Sequence, residues 1–99
     1  MEERMEVKVS TILDLAQFLG TSELTVSVPA KATVMNVLEA VRELTGRDVR
    51  EKIIAPETGD LKSFIRVFVE GRDVRFLQGL ATPVNPGDTV LILPPAAGG

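Results

Sequence analysis

Asn85-Pro86-Gly87-Asp88-Thr89-Val90-Leu91-Ile92-Leu93-Pro94-Pro95-Ala96-Ala97-Gly98-Gly99 closes the chain, and its parts constrain how the rest must fold. Asn85-Pro86-Gly87-Asp88 is a turn signal. Val90-Leu91-Ile92-Leu93 is a continuous apolar run, which predicts a central strand over Thr89–Leu93 with a parallel neighbour. The residues after it, Pro94 to Gly99, carry no large side chain. Pro94 and Pro95 bias this thread toward an extended conformation, which lowers the entropy lost on docking. Gly98 and Gly99 lack a Cβ, so both faces of their backbone fit a narrow channel. A terminal α-carboxylate, with a reference pKa near ~3.5, is ionised at neutral pH. Glycine makes up roughly 7% of ordinary sequences, so a terminal pair arises by chance in about half a per cent of chains. The pair therefore takes its meaning from the domain before it.

Working back from that strand, Met5-Glu6-Val7-Lys8-Val9-Ser10 and Glu23-Leu24-Thr25-Val26-Ser27-Val28-Pro29 alternate apolar and polar residues, the mark of half-buried strands. They suit an antiparallel pair joined by a long, partly helical loop through Leu13–Leu19. Thr33 is placed to cap a helix whose apolar face is Val34, Val37, Leu38, Val41 and Leu44, with Gly46 at its end. Val49, Ile53 and Ile54 suggest a second, short helix. Phe64–Glu70 is rich in strand formers. Gly71-Arg72-Asp73 reads as a hairpin turn, with Val74-Arg75-Phe76 as the returning strand. Two strands before the main helix and three after it give an α+β protein. The expected arrangement is the ubiquitin-like β-grasp, a mixed five-stranded sheet packed on one main helix plus a short helix. Residues 1–93 form the domain and 94–99 a flexible C-terminal tail in this reading.

The 99 residues include no cysteine and no histidine. Zinc, copper and iron–sulfur sites lose their usual soft ligands, so no metal is expected. Nucleophilic systems built on cysteine or histidine are excluded. No spacing pairs two carboxylates in a cleft, which argues against acid–base catalysis. Net charge is −3, with no Trp or Tyr, against the basic and aromatic footprint of nucleic-acid binding. Met1-Glu2-Glu3-Arg4 is not a signal-peptide opening, and no apolar run has membrane-spanning length, so a cytoplasmic protein is expected. Phe68 has opposite parity to Val67 and Val69 and should point away from their face. Phe68, Phe76 and Arg75 are candidates for a partner interface, with core filling the alternative for the two aromatics and a solvated face the alternative for the arginine.

The closing stretch resembles the ThiS/MoaD sulfur-carrier family, whose members share a Gly-Asp turn, an apolar strand, a small-residue tail and terminal Gly-Gly. Pro94-Pro95 is similar to the tail of the molybdopterin synthase small subunit. Asp73-Val74-Arg75-Phe76-Leu77-Gln78-Gly79-Leu80-Ala81-Thr82 looks more like the CysO-type carrier of cysteine biosynthesis. The resemblance implies a carrier without catalytic side chains. An E1-like adenylyltransferase would bind Pro94, Pro95, Ala96, Ala97 and Gly98, and adenylate the carboxylate of Gly99. Sulfur would then displace AMP to leave a thiocarboxylate. ATP and magnesium would belong to the activating partner, with no cofactor bound by the chain itself. A sulfur-accepting synthase large subunit, or its equivalent, would be the second partner. Molybdopterin and cysteine biosynthesis are the pathways the resemblance favours. The alternatives are a ubiquitin-like modifier joined to lysines through Gly99 and a β-grasp interaction module whose glycines are idle.

Overall fold

Strand β1 (Arg4–Thr11) is the hub of the first half of the chain. A computed structural model describes residues 3–95. Met5, Val7, Val9 and Thr11 of β1 are buried while Arg4, Glu6 and Lys8 are exposed, as the alternation predicts. A two-turn helix, α1 (Leu13–Leu19), fills the loop after it and buries Leu15 and Leu19. Strand β2 (Glu23–Pro29) returns antiparallel to β1, with Val7 opposite Val26.

Helix α2 (Val34–Thr45) follows and lays Val34, Val37, Leu38 and Val41 on the sheet. Its start is held reciprocally. Thr33 Oγ1 accepts from the Asn36 amide, and Asn36 Oδ1 accepts from the Thr33 amide at 2.9 Å. Such a cap contributes about 1 kcal/mol. Gly46, at φ 77°, ends the helix in the left-handed region that suits glycine. Leu44 departs from the expected stripe. It is 60% exposed, because it lies in the last turn along the edge strand β2, where the sheet covers only one side.

Helix α3 (Arg50–Ile53) buries Ile53 behind Val49. Asp48 grips its start, accepting from Arg50 Nε at 2.8 Å, Arg50 Nη2 at 2.9 Å and the Arg50 amide at 3.1 Å. The Arg50 side-chain hydrogen bonds hold the Asp48 carboxyl below the usual carboxylate range, against a smaller opposing effect of burial.

The second half departs twice from expectation. Strand β3 is short (Arg66–Val69), leaving Phe64 outside it and 57% exposed. The hairpin turn is Glu70-Gly71, both with positive φ as a type I′ turn requires, and the returning strand β4 is only Arg72–Asp73. Val74-Arg75-Phe76 is a 3₁₀ turn, not a strand. Asp73 redirects the chain there, because its carboxylate accepts the Arg75 amide at 2.9 Å and supplies a local partner in place of a ladder bond. A second 3₁₀ turn spans Gly79–Ala81. Strand β5 (Thr89–Leu93) then inserts between β1, parallel, and β3, antiparallel.

The sheet order is β2-β1-β5-β3-β4, the β-grasp order with the first and last strands adjacent in the middle. Val7, Val9, Val26, Val67, Val90 and Ile92 meet the buried residues of α1, α2 and α3 in one core. Among the described residues no helix is long and apolar enough to cross a membrane.

Candidate functional site

Strand β5 is bound into the sheet as far as Leu93, which lies opposite Arg66 of β3. On its other side the parallel pairing ends at Thr11 and Ile92, where buried Thr11 Oγ1 donates to the Ile92 carbonyl at 2.6 Å. Pro94 and Pro95 follow and have no amide hydrogen to offer β1 or β3, so the ladder cannot continue. The chain thus leaves the sheet from its centre. Pro94 is half-buried and Pro95 exposed. Ala96, Ala97, Gly98 and Gly99 lie outside the described residues.

Apolar side chains flank this exit. Ile12 and Leu13 follow directly on the last β1–β5 pair and are 46% and 51% exposed. Leu13 has φ 54°, an uncommon conformation for a bulky residue and one that costs about 1–3 kcal/mol. On the opposite side stands Phe64. Between Phe64 and α1 runs a groove of about 480 Å³, walled by Leu15, Phe18, Ile65, Pro94 and Pro95, with Asp14, Gln17 and Lys52 at its rim. Lys52 Nζ is 5.0 Å and Arg47 Cζ 5.9 Å from the centre of the Phe18 ring. Nothing in the spacing of Phe18, Arg47, Lys52 and Phe64 announces this grouping. It arises because the fold brings the long side chains of Arg47 and Lys52, far along the sequence, up to the Phe18 ring.

The sheet face away from α2 is open. Ser10, Leu91, Phe68 and Asp73 lie in one cross-strand row, with Leu93 and Arg66 in the next. Leu91, Leu93 and Phe68 are half-buried, forming an apolar centre with Arg66 and Lys8 around it. Arg66 Nη1 pairs with Asp73 Oδ2 at 3.1 Å. Phe68 therefore points where its parity predicts. Phe76 stands elsewhere, on the 3₁₀ turn, and is 84% exposed, so it fills no core. Arg75 is exposed, but its Nη2 donates to the Lys62 carbonyl at 2.6 Å, tying down the loop that carries Phe64. The three interface candidates thus have different settings: one on the open face, one on a turn, one bracing a loop.

The sequence profile of the ThiS family matches residues 14–99. The chain belongs to the ThiS family. The sulfur carrier protein CysO of Mycobacterium tuberculosis is 36% identical over 74 residues, covering 74% of this chain and 80% of that protein. Small archaeal modifier protein 3 of Haloferax volcanii is 31% identical over 99 residues, covering 96% of this chain and all of its own. A chain in the crystal structure of the Amycolatopsis orientalis BexX/CysO complex superposes with a TM-score of 0.78 at 33% identity, covering 94% of this chain and 99% of that one. This ThiS family protein thus stands among carriers and modifiers rather than among catalysts. The site it offers is an exit strand with its surroundings, not a catalytic pocket.

Proposed function

We propose that this protein is a sulfur carrier in which the C-terminal carboxylate of Gly99 is the reacting group. A carboxylate oxygen attacks the α-phosphorus of ATP, pyrophosphate leaves, and an acyl-adenylate forms on an E1-like partner. Sulfide then attacks the carbonyl carbon and AMP leaves, giving a thiocarboxylate. A free carboxylate oxygen is a poor leaving group, and adenylation supplies a good one. Charge stabilisation and magnesium belong to the partner, so the carrier has only to deliver a thin, unobstructed terminus.

The observation that carries this reading is the release of the central strand at Pro94-Pro95 in a chain of the ThiS family. The open face around Phe68 and Leu91 is the surface we assign to the activating enzyme, since its apolar centre and charged rim have the composition of a partner interface. Likeness to CysO favours a cysteine-forming acceptor system over a molybdopterin one.

Likeness over the full length to a small archaeal modifier supports a second reading, transfer of the same adenylated terminus to lysine amines of other proteins. Incubation with the E1-like enzyme of the same organism, ATP and sulfide tests the first reading. Intact-mass measurement should show one oxygen replaced by sulfur. An unaltered mass under conditions that adenylate the terminus rejects the carrier role, and Gly-Gly remnants on target lysines identify the modifier.

A further inference from the structure

The groove beside the tail root has features that a plain carrier surface does not need. Two cations, Lys52 and Arg47, approach one aromatic ring, Phe18. Among the described residues neither has a carboxylate within ion-pair distance, although Asp14 lies on the same rim. Like charges held near one ring favour the arrival of an anion. The floor is apolar, and Phe64 stands beside it half out in solvent. The volume, about 480 Å³, suits a few side chains rather than a flat domain face. One wall is Pro94-Pro95 itself.

We propose that this groove is a second docking point for the enzyme that activates the tail. It takes a partner loop that presents an apolar side chain beside a carboxylate. The apolar side chain packs against Phe18, Phe64 and Pro95, and the carboxylate meets Lys52, the cation that lines the groove. The inference rests on the reading of Gly99 as the activated terminus. Any channel that receives an extended tail must close around Pro95, and its mouth then comes within reach of Lys52. The chain as a whole is net negative, so a cationic rim here gives orientation that the overall charge does not. The tail's own carboxylate is a poorer occupant, because Pro94-Pro95 biases the start of the thread toward an extended conformation. A second copy would have to fit a side-chain-sized groove with a matching projection.

The test varies the carrier in ATP–pyrophosphate exchange catalysed by the E1-like enzyme of the same organism. Lys52 and Phe64 are exposed, so Lys52→Glu and Phe64→Ser should leave the melting temperature unchanged. Each should raise KM for the carrier about tenfold with kcat unchanged, while Lys52→Arg keeps the wild-type value. A KM within twofold of wild type for both variants overturns the docking point. A fall in KM on Lys52→Glu indicates that the tail itself occupied the groove, and loss of self-association on that change indicates a second copy; either overturns the proposal. Exchange by wild type with unaltered variants sinks the groove alone, whereas no exchange by wild type sinks the reading of Gly99 and this inference with it.

Discussion

The two ends of strand β5 are built oppositely. At the entry, Asn85–Asp88 is laced to its surroundings. Asp88 Oδ2 accepts the Asn85 amide at 2.8 Å, the Gly87 amide donates to Glu6, and the Lys8 amide donates to Asp88. The Thr89 amide reaches Glu70 Oε2 at 2.8 Å, and the Glu70 amide returns to Thr89 at 3.2 Å. At the exit, the last side-chain tie is Thr11 to Ile92, and two prolines follow. The same strand is thus anchored at one end and released at the other. In the function we propose, this asymmetry keeps the body anchored while the terminus enters another protein's active site.

The comparison is broken most forcefully at the exit. Gly98→Val should abolish adenylation and sulfur loading while leaving the melting temperature unchanged, since the added branch obstructs the partner's channel. Exchange assays paired with calorimetry check both halves. Normal loading of this variant contradicts the role given to the thin tail.

The entry should behave in reverse. Asp88→Ala removes the acceptor of the Asn85 amide and should cost about 1–2 kcal/mol in denaturant unfolding. Loading per folded molecule should not change. A loss of loading without a loss of stability would mean that the entry turn contacts the activating enzyme.

A smaller effect sharpens the picture of the α3 side, where Lys52 is held. Asp48 has a folded-state pKa depressed by its hydrogen bonds from Arg50. Its contribution is fully present above the unfolded pKa and is lost as pH falls through the folded value. Urea melts should therefore show wild type more stable than Asp48→Asn at pH 7 by about 1 kcal/mol, with the gap closing as pH falls below about 4. A gap that stays constant down to acid pH removes the charge-assisted account of this cap.

Much of this architecture could be read from local pattern. Thr33 and Gly46 bracket α2, alternation marks β1 and β2, and the apolar run Val90–Leu93 marks the central strand. That run is apolar throughout because Val90 and Ile92 face the core while Leu91 and Leu93 face the open side. What local pattern missed depends on contacts distant in sequence or on side-chain competition. Val74-Arg75-Phe76 has strand composition, but the Asp73 carboxylate captures the Arg75 amide and bends it into a turn. Leu44 keeps helix periodicity yet runs along the edge strand. Phe64 belongs to a strand-like run, but the chain enters the β3 ladder only at Arg66. The groove was invisible, since Phe18 and Lys52 are far apart in sequence and meet only in the folded chain. The Gly-Gly terminus was legible as a motif, and its family membership rests on the match over residues 14–99.

The most direct test weighs the intact protein recovered from its native host. Our account requires a fraction whose mass corresponds to one oxygen exchanged for sulfur, located on the C-terminal peptide and absent when Gly98 and Gly99 are deleted. A terminus that is never thiolated in the host, or biological activity that survives the deletion, would contradict it.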